Sequence, residues 1–257
     1  MNRLTTLLFD VDGTLADTEE VHRVSFNQAF EQAGLDWAWS QELYGELLTV
    51  TGGKERIRYF IDTHLAGFEA PGNPDEFIAG LHAVKTEIYT RKAASGDIPL
   101  RPGVKRLLVE ARDAGLRLGI ATTTTPANVT ALLQHSLAED AEDWFDVIAA
   151  GNAVAEKKPA ADIYFFAMQK LGVTPTECMA FEDSGNGLCS ARGAGLPTLI
   201  TFNAYTRDHN FDGAVLVLDQ LGEPTAPFTV LAGDAGEHRF VGVDLLKELH
   251  SRVPEHS

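Results

Sequence analysis

Two closely spaced pairs of carboxylates follow apolar runs in this 257-residue sequence. Asp10 and Asp12 come directly after the first apolar run, and Glu182 and Asp183 follow another at 178–181. Carboxylates beside an apolar core are costly unless a cation compensates them, and oxygen ligands of this kind suit Mg²⁺. Asp-X-Asp alone is more typical of an acidic turn. Two such pairs at apparent strand ends instead predict a magnesium site.

Two further polar groups follow apolar runs between these pairs. Thr122 and Thr123 open a run of four threonines after residues 116–121, and Lys158 stands before Pro159. Hydroxyl and N–H groups at a strand-to-helix junction bind anions, and lysine is a compact charge suited to phosphate. Four threonines also suit a solvated turn, and a basic pair also suits a solvated loop. In the order acid, hydroxyl, lysine, acid, the four groups indicate a functional site that combines cation-binding and anion-binding side chains.

The elements that position these groups form an alternating pattern. Apolar runs are separated by helical patterns, several of which end in glycine, and this predicts an α/β fold with a Rossmann-like parallel sheet. The carboxyl ends of parallel strands share one edge, where such folds bind ligands. The runs span residues 4–9, 116–121, 146–150, 178–181, 197–202 and 214–218.

One segment departs from the alternation. Residues 16–95 contain helical patterns and no convincing strand, which predicts a helical insertion after the first strand. We expect residues 1–15 and 96–257 to form the α/β core, and residues 16–95 to form a cap over the ligand-binding edge. The sequence after about residue 222 indicates no clear role.

Composition and charge argue against several classes of function. Thirty-seven acidic and 21 basic residues give a formal net charge of −16, which argues against nucleic-acid and anionic-membrane surfaces. The N-terminal apolar run is too short and acidic for a signal peptide or membrane span. We expect a monomer in the cytoplasm, or in the chloroplast stroma if a transit peptide has been removed. Cys178 and Cys189 form no CxxC pair and are expected to be reduced and buried or half-buried.

The order and spacing of the four groups resemble the four motifs of the haloacid dehalogenase superfamily over about residues 4–220, with DVDGTL as the most specific match. This resemblance implies that Asp10 is a nucleophile forming an aspartyl phosphate, and that Asp12 protonates the leaving oxygen and then activates water. It assigns the phosphoryl oxygens to Thr122, Thr123 and Lys158. It assigns Mg²⁺ to Asp10, Asp183, the Asp12 carbonyl and Glu182, the last directly or through water.

A narrower resemblance extends into the insertion. DVDGTLADTEEVH, TGGKERI, ATTTT, AEKKPAADIY, EDSGNGL and YTR resemble the CbbY phosphatases of the Calvin cycle, which hydrolyse xylulose 1,5-bisphosphate, an inhibitor of Rubisco. Asp17 and Ala161 depart from that family's usual Glu and Pro. By position, the family implies that the sugar or its distal phosphate contacts Glu19, His22, Gly52, Gly53, Lys54 and Arg56, with Asn186 and Arg207 as weaker candidates.

Alternatives to these assignments stay open at this point. TGGKER is also typical of a helix start with solvated charges, and a lone His22 near Phe26 is also typical of a packed histidine. A β-phosphoglucomutase would return the phosphoryl group to a sugar instead of water. A broader sugar-phosphate or phosphoglycolate phosphatase shares the same motifs. A catalytically inactive relative that only binds partners is the remaining class.

Overall fold

The computed structural model describes residues 3–96 and 98–252. Its strands form a seven-stranded sheet in the spatial order β3-β2-β1-β4-β5-β6-β7, and every neighbouring pair runs parallel except β6 and β7. The predicted Rossmann-like parallel sheet is therefore confirmed. The strands are β1 (Thr6–Phe9), β2 (Arg117–Ala121), β3 (Val147–Ala149), β4 (Cys178–Glu182), β5 (Thr198–Thr201), β6 (Leu216–Leu218) and β7 (Val230–Gly233).

Helices cover both faces of the sheet because the central strands are buried on both sides. Along β1, Leu7 and Phe9 belong to one apolar cluster and Leu8 belongs to another, as the alternation of side chains across a strand requires. The first cluster includes side chains of α5, α6 and α9, and the second includes side chains of α7 and α8. These helices are α5 (Val104–Asp113), α6 (Pro126–Leu132), α7 (Asp162–Leu171), α8 (Gly185–Gly193) and α9 (Val243–Ser251).

The expected helical insertion follows β1. Between residues 19 and 94 the backbone consists of helices and loops, and these pack around an apolar cluster of their own that includes Phe26, Phe30 and Trp39. The chain enters and leaves the insertion beside an antiparallel bridge between Ala16 and Leu100. The four helices are α1 (Glu19–Gln32), α2 (Gln41–Leu47), α3 (Gly53–His64) and α4 (Pro74–Ala94).

The C-terminal segment, for which the sequence indicated no role, completes the core. β7 adds an antiparallel edge to the sheet, and α9 packs against α5. Arg106 of α5 donates hydrogen bonds to the carbonyls of Gly222 and Val241, which ties this segment to the core. Residues 1–2, 97 and 253–257, which the expected core also includes, lie outside the described residues.

The two cysteines differ in exposure. Cys178 is buried in β4, whereas Cys189 is exposed on α8, and neither forms a disulfide. The expectation of a buried or half-buried Cys189 was wrong because this residue lies on the solvent side of its helix. None of the described helices combines the length and the apolar composition that crossing a membrane requires.

Candidate active site

The first predicted acid lies at the carboxyl end of β1. Asp10 directly follows this strand, is 7% exposed, and accepts a hydrogen bond at Oδ1 from Lys158 Nζ at 2.7 Å. Gly13 then turns the loop with φ +78°, and a Cβ atom at this position would lie 2.2 Å from Asp183 Oδ2. Glycine therefore lets the loop after β1 approach the loop after β4.

Three buried carboxylates meet between β1 and β4. One oxygen each from Asp10, Glu182 and Asp183 lies within 4.8 Å of the other two. Burial raises the pKa of Asp10 to about 7 against the opposing charge of Lys158, and burial followed by the charge of Asp10 raises the pKa of Asp183. Asp183 Oδ2 also accepts a hydrogen bond from Asn203 at 2.7 Å. Three buried carboxylates carry more negative charge than the single ammonium of Lys158 compensates, and such a set of oxygen donors fits a hard divalent cation.

Lys158 reaches two of these acids from the loop after β3. Its buried ammonium donates to Asp10 Oδ1 and, at 2.6 Å, to Glu182 Oε1. Burial disfavours the charge, but the carboxylates of Asp10 and Glu182 outweigh it and raise the pKa of Lys158. The lysine therefore stays protonated where an incoming phosphoryl group would need a positive charge.

The threonines after β2 complete this edge. The N–H of Thr122 donates to the carbonyl of Ala149, and its Oγ1 accepts a hydrogen bond from Thr124 N at 3.3 Å, so its hydroxyl proton remains available to a ligand. The spatial order β3-β2-β1-β4 puts the lysine loop, the threonine loop and the two acidic loops side by side. This is the juxtaposition that the sequence predicted.

Asp12 faces the helical insertion. Its Oδ1 accepts a hydrogen bond from Thr18 Oγ1 at 2.6 Å and lies 2.9 Å from His22 Nε2, while His22 Nδ1 lies 2.6 Å from Lys85 Nζ. The imidazole also stacks on Tyr89 with centroids 4.0 Å apart. Burial acts to raise the pKa of Asp12, but the charge and hydrogen bonds of His22 and the Thr18 hydroxyl lower it overall. His22 is thus both packed and part of the polar site.

The N-terminus of α3 lies at the same cavity. Gly52 precedes the helix with φ 98° and supplies no side-chain cap, and a Cβ atom on Gly53 would lie 2.4 Å from His82 Nε2. Lys54 also lines the cavity, and in the described part of the chain its ammonium has no hydrogen-bond or ion-pair partner. TGGKER therefore begins a helix and also lines the cavity, so the helix-start interpretation and the site interpretation do not exclude each other.

Arg56 is held by neighbouring groups of the insertion. Its guanidinium donates to the carbonyl of Leu47 and, at 3.0 Å, to the hydroxyl of Tyr44, which in turn donates to Glu19 at 2.8 Å. Arg56 and Glu19 thus form one chain through a buried tyrosine. This chain fixes the orientation of both charged side chains at the cavity wall.

Two further contacts join the insertion to the core beside the cavity. Asn186, in the first turn of α8, donates to the carbonyl of Thr49 and to the hydroxyl of Thr51 at 3.0 and 3.1 Å. Lys157, next to Lys158, forms a 2.7 Å ion pair with Glu55 of α3. The insertion is therefore closed over the sheet edge in this structure.

The predicted site residues line one cavity of about 280 Å³. All fourteen site residues expected from the sequence line it, whereas Arg207 lines a different cleft between the insertion and the core. The fourteen are Asp10, Asp12, Glu19, His22, Gly52, Gly53, Lys54, Arg56, Thr122, Thr123, Lys158, Glu182, Asp183 and Asn186.

Sequence reasoning missed several lining residues. His82 and Lys85 lie one turn apart on α4 and so share one helix face, but this spacing alone does not distinguish them from the other polar residues of the helix. Burial, followed by the charges of Lys85 and Lys54, lowers the pKa of His82 to about 4. Lys157, Thr206 and His209 also line the cavity from loops of the core, where the sequence offered no periodic signal.

Comparisons with known proteins agree with this geometry. The model of the haloacid dehalogenase-like hydrolases matches residues 4–195. Protein CbbY of Cupriavidus necator is 45% identical over 251 residues, covering 96% of this chain and 97% of the relative. The crystal structure of CbbY from Rhodobacter sphaeroides in complex with phosphate is 50% identical, covers 84% of this chain and 94% of its own, and has a TM-score of 0.80.

The same Rhodobacter sphaeroides protein has been solved as an aspartate-to-asparagine variant in complex with xylulose 1,5-bisphosphate, with a TM-score of 0.80 to this chain. The sequence and the fold support the same family assignment. The arrangement of acids, threonines and lysine at one sheet edge agrees with it. The chain belongs to the haloacid dehalogenase-like hydrolases and is a phosphatase of the CbbY type.

Proposed function

We propose that this protein is a Mg²⁺-dependent phosphatase of a sugar bisphosphate, with xylulose 1,5-bisphosphate as the favoured substrate. The observation that carries this proposal is a cavity lined by cations from both the core and the insertion. Lys158 lies on the core side beside Asp10, and Lys54, whose ammonium has no partner among the described residues, lies on the insertion side. A ligand with two phosphate groups would place one against each cation.

Asp10 is the nucleophile of the proposed reaction. One of its carboxylate oxygens bonds to phosphorus while the bond from phosphorus to the sugar oxygen breaks, which leaves an aspartyl phosphate. Lys158 and the free hydroxyl proton of Thr122 bind the phosphoryl oxygens as negative charge redistributes. The phosphoryl group then passes to water, which releases inorganic phosphate and restores Asp10.

Asp12 moves the proton in both steps. Its Oδ1 is engaged by Thr18 and His22, whereas no residue in the described ranges bonds its Oδ2, so we assign the transferred proton to Oδ2. The incoming phosphate adds negative charge nearby and raises the proton affinity of this carboxylate. Asp12 donates its proton to the leaving sugar oxygen and later takes a proton from the attacking water.

The three clustered carboxylates fit the proposed cofactor. Asp10, Glu182 and Asp183 would hold Mg²⁺ together with the Asp12 carbonyl, because all three side chains are buried and offer oxygen donors only. When bound, the ion supplies positive charge that permits ionised carboxylates and an anionic substrate to share one site.

The distal phosphate is assigned to the first turn of α3. The Lys54 ammonium suits an anion, Gly52 before the helix supplies no side-chain cap, and glycines at 52 and 53 allow close approach of the backbone. Arg56 adds charge from a fixed position, since Tyr44 and Leu47 hold its guanidinium. The xylulose 1,5-bisphosphate complex of the Rhodobacter sphaeroides relative supports this substrate class.

We also propose that residues 16–95 act as a cap domain on a core formed by residues 1–15 and 96–257. The separate apolar cluster of the insertion supports this division. The contacts from Asn186 to Thr49 and from Lys157 to Glu55 would have to open for substrate to enter.

A phosphate-release screen with Mg²⁺ over sugar mono- and bisphosphates tests the proposal. We expect the highest kcat/KM with xylulose 1,5-bisphosphate and lower values with monophosphates and phosphoglycolate. Glucose 1-phosphate with catalytic glucose 1,6-bisphosphate serves as the rival reaction. Formation of glucose 6-phosphate without net phosphate release would identify a mutase instead and contradict the proposal.

A further inference from the structure

Tyr164 lies beneath the carboxylate cluster and outside the cavity. It belongs to α7, is completely buried, and packs in the apolar cluster that also contains Leu8 and Met168. Its hydroxyl nevertheless donates to Glu182 Oε1 at 2.5 Å. Burying a hydroxyl in an apolar cluster is costly unless it is bonded, and phenylalanine would fill the same volume. Packing alone therefore does not account for the hydroxyl.

The hydroxyl shares its acceptor with a lysine. Glu182 Oε1 receives hydrogen bonds from both Tyr164 and Lys158, and the ammonium of Lys158 lies 5.3 Å from the centroid of the Tyr164 ring. The other oxygen, Oε2, faces Gly187, where a Cβ atom would lie only 1.9 Å away. Two donors therefore hold the carboxylate at Oε1, while Oε2 lies against the glycine backbone at Gly187.

We propose that Tyr164 is a positioning residue of the phosphoryl-transfer site. Its hydroxyl fixes the rotation of the Glu182 carboxylate, so that Oε2 is presented to the divalent cation. It also keeps Oε1 satisfied when Lys158 turns from Glu182 toward the phosphoryl oxygens, a movement that would otherwise leave a buried carboxylate oxygen unpaired. This inference rests on the proposed function, because it assumes both a cation and a phosphoryl group at this edge.

Tyr164→Phe removes the hydroxyl and leaves the ring in place. We expect the folded variant to bind Mn²⁺, used as a paramagnetic probe for Mg²⁺, roughly 10-fold more weakly in a titration followed by electron paramagnetic resonance without substrate. In turnover we expect a fall in kcat of about the same size at saturating metal, with an unchanged KM, because no substrate contact is lost. Tyr59→Phe, at an exposed tyrosine of α3, is the matched control and should change neither quantity.

A double-mutant cycle separates positioning from packing. In a Glu182→Gln background, Tyr164→Phe should cause no further loss of Mn²⁺ affinity, because the carboxylate that it orients is already gone. Equal losses in both backgrounds would show that the hydroxyl acts through general packing and would overturn the proposal. Wild-type affinity in the single variant would overturn it as well.

The metal titration also keeps this inference distinct from the proposed function. A wild-type protein that binds Mn²⁺ but releases no phosphate from any sugar phosphate would refute the proposed activity, and Tyr164 would still be judged by the titration. Full phosphatase activity together with an unaltered Mn²⁺ affinity in Tyr164→Phe would refute the positioning role alone.

Discussion

Lys85 Nζ lies 2.6 Å from Nδ1 of His22, and both residues belong to the helical insertion. The opposite ring nitrogen of His22 lies 2.9 Å from the carboxylate of Asp12, which belongs to the core. The two ring nitrogens of His22 therefore link Lys85 of the insertion to the carboxylate of Asp12. Asp12, to which we assign proton transfer, is therefore held in this structure by groups of the insertion.

Lys85→Met tests this link. Burial lowers the pKa of Lys85 to about 7 even though Asp12 opposes the shift, so the lysine is a costly group whose replacement by an apolar chain of similar length fits the space. We expect kcat to fall roughly 10- to 100-fold. The melting temperature should stay within about 3 °C of wild type. Lys247→Met, at an exposed lysine of α9, should leave kcat unchanged, and an unaffected kcat in Lys85→Met would refute the link.

Asp10→Asn tests the nucleophile. The amide keeps the shape of the side chain but cannot form the aspartyl phosphate, so turnover should fall by at least about 10⁴-fold while the circular dichroism spectrum is retained. Phosphate release under single-turnover conditions is the measurement. Asp62→Asn, at an exposed position of α3, provides the control. Residual turnover above one per cent would contradict the mechanism.

Lys54→Ala tests recognition of the distal phosphate. Loss of one charged hydrogen bond is worth about 1.5–3 kcal/mol, so kcat/KM for a sugar bisphosphate should fall roughly 10- to 100-fold. The value for a monophosphate should change by less than about 3-fold. Arg58→Ala removes a cation of the same helix that pairs with Asp75 outside the cavity, and should affect neither substrate. Equal losses for both substrates would exclude Lys54 from this role.

Metal removal should be visible in stability as well as in activity. Asp10, Glu182 and Asp183 repel one another in the buried cluster, and Mg²⁺ would relieve this repulsion by binding the folded state. At about 100 times its Kd, a ligand that binds only the folded state stabilises it by about 2.7 kcal/mol. We expect the melting temperature to rise by roughly 5 °C on adding Mg²⁺ and to fall again with EDTA. Asp183→Asn should abolish this rise, whereas Asp62→Asn should retain it. A metal-independent melting temperature in the wild type would contradict the assigned site.

His82 should make stability depend on pH. Burial and the cations Lys85, Lys54 and Lys157 lower its pKa to about 4, and Glu55 opposes them only in part. Because the folded value lies below the ordinary 6.5, the unfolded chain binds more protons between these values, and stability falls as pH drops through this window. The resulting loss in the free energy of unfolding reaches about 2 kcal/mol at pH 5.

Urea unfolding at pH 7.5 and pH 5.0 measures this effect. His82→Gln should lose about 2 kcal/mol less than wild type between the two pH values. A variant with the same pH dependence as wild type would show that His82 does not contribute to it.

The sheet and the catalytic edge could be predicted because their signals are local. A buried strand reads as an apolar run, and Asp10, Thr122, Lys158 and Glu182 each follow such a run, so parallel topology alone brings them together. β4 extends to Glu182 itself, one residue beyond the predicted run, which buries this acid more deeply than its position after a strand suggested.

The contributions of α4 could not be predicted in the same way. This helix packs against α1 and also against α6, so it has apolar residues around much of its circumference and no single polar face stands out. Lys85 and His82 become site residues only through the tertiary position of the helix. Tyr164 was missed for a similar reason, because a tyrosine in an apolar helix is indistinguishable by pattern from an ordinary core residue.

The bridge between Ala16 and Leu100 means that the insertion leaves and rejoins the core at a single point. A segment whose two ends already touch can be lengthened, shortened or exchanged without moving the strands that carry the acids. Under the proposed function, substrate preference can therefore diverge separately from phosphoryl chemistry wherever a change spares Thr18, His22 and Lys85, the residues of the insertion that hold Asp12 directly or through one another. We expect other changes within residues 16–95 to alter which sugar is accepted, while the sheet edge continues to perform the proposed reaction.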